Sequence, residues 1–125
     1  LPLEIACQPK ERGAKVVAVT SVGASKKLTS KHKSGKRLFE IADVVIDNQA
    51  PDGDASITLE GLDTAICGMS SITTAVALQA VVLEAAKILL SRGVTPPFFK
   101  SQNIDGGEQY NEALIGQYSD RLFHM

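Results

Sequence analysis

Three features of this 125-residue chain predict an α/β fold, a three-layer αβα sandwich around a parallel sheet. Residues 14–20 and 42–47 hold the runs Val16-Val17-Ala18-Val19 and Val44-Val45-Ile46, unbroken by polar alternation, as strands covered by helices on both faces are. Helical and strand patterns alternate along the first half, the rhythm of a parallel sheet. Residues 72–90 read as one long helix that is apolar around most of its circumference and is expected to be buried.

Residues 3–12 read as a helix that Pro9 should break or kink and Gly13 should end. After the first strand, residues 21–37 read as a basic loop holding Lys26, Lys27, Lys31, Lys33, Lys36 and Arg37, with no acidic residue. It follows the carboxyl end of a strand, where ligands bind in open α/β sheets. A short helix over residues 36–41 leads to the second strand, which Asn48 and the turn Pro51-Asp52-Gly53-Asp54 close. Residues 56–60 alternate and read as a short exposed strand, and residues 61–69 as a loop. Pro96 and Pro97 stop the long helix, and residues 97–101 form a third candidate strand. Asp105 and Glu108 have the spacing of a capping box for a last helix from Gly106 to about Leu122.

At about 100° per residue, Thr73, Ala77, Ala80, Glu84, Lys87 and Ser91 fall in one stripe of the long helix, its only polar face. A membrane span is rejected because Gln79, Glu84 and Lys87 fall within that length. At the start of the helix, Ser70, Ser71, Thr73 and Thr74 crowd around unpaired N–H groups and a partial positive charge, an anion cradle. The plainer role for Ser70 or Ser71 is an N-cap.

A formal charge of −1 and 44% hydrophobic residues suit one soluble domain, and neither the balance nor a basic loop without aromatic residues suits a nucleic-acid partner. Cys7 and Cys67 make no metal-ligand spacing and no disulfide framework, so free thiols, no metal and no cofactor are expected. The opening residues lack the basic and apolar regions of a signal peptide, and the expected compartment is the cytoplasm.

Taken together, Lys10-Glu-Arg-Gly-Ala-Lys-Val-Val-Ala-Val-Thr-Ser, Ser30-Lys-His-Lys-Ser-Gly-Lys-Arg-Leu, Ala42-Asp-Val-Val-Ile-Asp-Asn, Ser70-Ser-Ile-Thr-Thr and Phe99-Lys-Ser-Gln-Asn-Ile-Asp-Gly-Gly resemble the C-terminal half of a SIS (sugar isomerase) domain. The resemblance is in particular to small bacterial SIS-domain proteins of uncharacterised function. It implies an αβα sandwich of flavodoxin-type topology, a phosphosugar bound at the carboxyl ends of the strands, and a homodimer. It also implies that the chain is truncated at its N-terminus, because the family's first strand, helix and Ser/Gly-rich phosphate loop have no counterpart here. An isolated part of this kind should be inactive. The family includes aldose–ketose isomerases, an etherase acting on muramic acid phosphate, and regulators that only sense a phosphosugar, so fold alone selects none of these.

Isomerisation needs a base, a group that helps open the ring and donors for the phosphate. Glu84, a carboxylate on an otherwise buried helix, is the candidate base, with a salt bridge to Lys87 or Lys100 as its structural alternative. His32, one of two histidines with His124, is the candidate acid or ring-opening group in the basic loop. Thr20 and Ser21 end the first strand and are the candidate sugar or phosphate contacts, together with Ser70, Ser71 and Thr73.

Overall fold

The computed structural model describes residues 2–121 and divides the chain into two units, Leu1–Val82 and Leu83–Met125. The first holds α1 (Pro2–Glu11), β1 (Val17–Thr20), α2 (Val22–Lys27), α3 (Leu38–Ile41), β2 (Val44–Asp47), β3 (Ala55–Ile57) and β4 (Ile66–Gly68). The helix α4 (Ser70–Ser91) starts in it and ends in the second unit, which holds α5 (Gly107–Gln117) and a 3-10 turn at Ser119–Arg121.

The strands β1 and β2 pair in parallel, Val17 opposite Val44 through to Thr20 opposite Asp47, as their apolar runs predict. Their ends are pinned at Asp43, whose carboxylate accepts from the Val16 N–H at 3.0 Å and from Lys10 Nζ at 3.1 Å. Lys10 also donates to the Ile41 carbonyl at 2.6 Å, so α1 is tied to the start of β2. The Val16 N–H, with Lys10 second, holds the Asp43 carboxyl well below the usual carboxylate range, at about 2.

Several expectations need correction. Pro9 lies inside α1 and does not break it: the helix runs on to Glu11, two residues later, and Gly13 turns the chain with φ 83°. The basic stretch is not all loop, since Ser21 caps a helical turn, α2, by accepting from the Ala24 N–H at 3.3 Å. The expected strand at residues 56–60 is β3, and it pairs antiparallel with β4, in a stretch read as loop. Each sheet has two strands and neither closes.

Among the described residues of the first unit, cover on both faces is not provided. Ala18 is 2% exposed, whereas Val17 is 56% and Val44 53% exposed. The long helix spans the expected residues but contains no buried residue, against the expectation that it is buried; Val76 is 67% and Leu83 55% exposed. By length and composition alone it could cross a membrane, with a mean hydropathy of 1.6.

In the second unit, residues 97–101 form no strand, and among its described residues there is no other strand to pair with. Instead the buried Asn111 carboxamide takes both backbone groups of Lys100, accepting its N–H at 2.8 Å and donating to its carbonyl at 2.9 Å. Gly107 permits this closeness, since a Cβ there would sit 2.1 Å from the Ser101 carbonyl oxygen. The capping box at Asp105 does not form: Gly106 caps α5 in a left-handed conformation with no side-chain bond. Leu122, the expected end of that helix, lies outside the described residues.

Candidate functional site

At the carboxyl ends of β1 and β2, short polar side chains bond to one another. Thr20 Oγ1 lies 3.2 Å from Ser25 Oγ, and Ser21 Oγ donates to the Ala50 carbonyl at 2.7 Å. Asp47 accepts from the N–H groups of Val22 at 3.1 Å and Gln49 at 3.0 Å, which fixes the turn after each strand.

Asn48 links this cluster to α4. Its backbone N–H donates to the Thr20 carbonyl at 3.1 Å, its Oδ1 accepts from the Ala50 N–H at 3.1 Å, and its Nδ2 donates to Thr74 Oγ1 at 2.9 Å. Asn48 is 9% exposed, so these bonds are shielded from water and specify the placement of α4 against the strand ends. Thr20, Ser21 and the first turn of α4 are thereby brought into one connected region. Asn48 and Ser25 are not among the residues the sequence singles out as site candidates, whereas Thr74 is one of the hydroxyls expected at the start of the long helix.

The start of α4 holds an anion already, supplied by the chain. Asp54 Oδ1 accepts from the Ser70 N–H at 2.6 Å, and the Met69 N–H bonds the Asp54 carbonyl at 3.0 Å. The Ser70 N–H, then the Ser70 side chain, lower the Asp54 pKa. A Cβ on Gly68 would meet Asp54 Oδ2 at 2.8 Å, so glycine there leaves room for the carboxylate. Asp54, just before β3, and Cys67, within β4, both adopt positive φ, 71° and 65°. Thr73 Oγ1 donates to the Met69 carbonyl at 3.1 Å, and Ser71 is exposed.

The two candidate catalytic residues are placed differently. Glu84 lies in the other unit, exposed, and accepts from Lys87 Nζ at 2.6 Å, the alternative its sequence neighbours offered. His32 belongs to a loop closed on itself: Ser30 Oγ donates to the Lys36 carbonyl at 2.7 Å and accepts from the His32 N–H at 3.1 Å. The Ser34 N–H donates to His32 Nδ1 at 3.2 Å, so the proton of the neutral ring sits on Nε2. His124 lies outside the described residues.

No protein-family model matches the chain. It is 44% identical over 123 residues to UPF0309 protein lmo0025 of Listeria monocytogenes, covering 98% of this chain and 53% of that one. It is 42% identical to UPF0309 protein BH3325 of Halalkalibacterium halodurans, covering 94% of this chain and 49% of the relative. UPF0309 protein SCO4393 of Streptomyces coelicolor is 38% identical, with 99% and 49% covered. The chain is homologous to these UPF0309 proteins and spans about half the length of the curated relatives it matches.

Proposed function

We propose that this chain is the ligand-binding part of a phosphosugar-binding domain of the SIS type, a three-layer αβα sandwich that further polypeptide completes. The observation that carries the reading is the cluster of Thr20, Ser21, Ser25 and Asn48 at the carboxyl ends of two parallel strands, bonded to Thr74 of α4. Neutral hydroxyls and amides suit sugar and phosphate oxygens, and strand ends are where open α/β sheets bind ligands. Ser70, Ser71 and Thr73 stand at the α4 end of the same region.

Exposed apolar surface supports the incomplete sandwich. Leu78, Val81 and Val82 of α4 are among the exposed apolar side chains, and a soluble protein needs them covered. Association as a homodimer in the cytoplasm, with the rest of the sheet, supplies that cover.

In the longer relatives the reading extends to aldose–ketose isomerisation. There Glu84 would carry a proton between adjacent carbons, and His32, donating through Nε2, would assist ring opening. A non-catalytic phosphosugar sensor is the second reading, favoured by the exposure of Glu84 and its ion pair with Lys87; an etherase-like lyase is the third.

Titration of the chain with glucose 6-phosphate, followed by amide shifts, tests the binding. Shifts should centre on residues 20–25, 48–50 and 70–74, and their absence there would end the phosphosugar reading. In a full-length relative that carries a glutamate at the position of Glu84, its replacement by Gln should abolish turnover and spare binding. Binding without turnover in the unmodified relative would establish the sensor.

A further inference from the structure

The loop of residues 28–36 and the start of α1 border an open cleft of about 310 Å³ in the Leu1–Val82 unit. That volume is at the lower end of the range for small-molecule sites. Leu3, Leu28 and Leu38 make part of its lining apolar, while Thr29, Lys31, His32 and Lys36 give it polar and cationic groups. Among the described residues, no carboxylate lines it.

Hydrogen bonds within the protein hold this cleft in shape. Arg37 Nη1 donates to the Lys26 carbonyl at 3.0 Å and the Ser25 carbonyl at 3.4 Å, fastening the far end of the loop to the last turn of α2. The Arg37 charge is itself met by Glu40, 2.8 Å away, so it holds the wall and leaves little charge for a ligand. The Ser30 hydroxyl spans the loop from the His32 N–H to the Lys36 carbonyl and has no proton left to donate.

Other groups remain free to meet a ligand. Lys31 pairs with no carboxylate among the described residues, and Lys36 reaches Glu40 only through its longer-range field. Thr29 keeps its hydroxyl proton, and His32 presents an Nε2–H because its Nδ1 accepts from the Ser34 amide. Two ammonium groups and two neutral donors beside an apolar surface match one chemistry, a dianionic head on a small apolar body.

We propose that this cleft binds a phosphomonoester with a small apolar body, at a site separate from the strand-end cluster, which it touches at Ser25. Lys31 and Lys36 meet the phosphate charge, Thr29 and His32 Nε2 donate to its oxygens, and the leucines cover the apolar body. The cleft shares Ser25 with the strand-end cluster and His32 with the isomerase extension of the phosphosugar reading, but Thr29, Lys31 and Lys36, on which the proposal stands, belong to neither.

Calorimetric titration of the chain with phenyl phosphate, inorganic phosphate and phenol tests it. Phenyl phosphate should bind saturably and more tightly than either of its two parts. The double variant Lys31→Gln/Lys36→Gln should weaken it about tenfold, from two partly exposed charge contacts. Lys33→Gln removes a neighbouring charge that does not line the cleft and should leave affinity unchanged. On the unmodified chain, amide shifts with phenyl phosphate should centre on residues 28–38, a reading that needs no variant to fold. The proposal is overturned if binding does not saturate, if Lys33→Gln weakens it as much as the double variant, if inorganic phosphate binds as tightly, or if the shifts lie elsewhere.

Discussion

Replacing Asn48 by Ala should cost this chain more stability than any exposed polar substitution, and the cost follows from its bonds. The side chain donates to Thr74 Oγ1 at 2.9 Å and accepts from the Ala50 N–H at 3.1 Å. Losing the first removes a net hydrogen bond, about 1 kcal/mol. Losing the second leaves a donor without a partner on Ala50, which is only 7% exposed, at about 1–3 kcal/mol. The sum, roughly 2–4 kcal/mol, is a large part of the stability of an ordinary domain. Urea unfolding followed by circular dichroism measures it, and hydrogen exchange at the Ala50 amide reports the local part. Thr74→Val removes only the first bond and leaves the shielded Asn48 amide without that partner, at about 1–3 kcal/mol. The double variant should then show a coupling of about 1 kcal/mol between the two residues. An Asn48→Ala cost below that of Thr74→Val, or no coupling, would refute the claim that Asn48 fastens α4 to the strand ends.

Acid should weaken the chain through Asp43 and Glu40, each held at about 2 by its partners, the Val16 N–H and Lys10 for one and Arg37 for the other. Because both folded values lie below the unfolded range near roughly 4, their stabilisation is present above that range and lost as the pH falls toward about 2. The urea midpoint should therefore drop across that window, and Asp43→Asn should flatten part of the drop; an unaltered drop would assign the acid response to Glu40 alone. Asp54→Ala should free the Ser70 amide at the start of α4 and raise glucose 6-phosphate affinity several-fold, since an internal carboxylate no longer competes there. Calorimetry showing equal or weaker binding would mean that the ligand does not use this end of α4.

Local chemistry made the two parallel strands, the long helix and the strand-end residues legible, whereas α2, β4 and burial could not be read from this stretch alone. Val16-Val17-Ala18-Val19 and Val44-Val45-Ile46 declare parallel strands because their side chains want cover on both faces, and they pair as such. The same pattern cannot say which polypeptide provides the cover, and Val17 and Val44 remain more than half exposed here. The helix α4 makes the same point, since its apolar circumference describes an environment that the described residues do not supply. Long-range side-chain bonds escaped for a different reason. Asn48 looks like any residue that ends a strand, and Asp54 like any turn aspartate, until folding sets them against partners in α4 that lie 26 and 16 residues further along the sequence. The anion cradle shows the consequence most clearly: hydroxyls and free amides at a helix start attract negative charge, and the chain meets that demand with its own carboxylate. Any phosphate that uses the Ser70 amide must displace Asp54, and ligand affinity at that end of α4 is set by the difference between two anions.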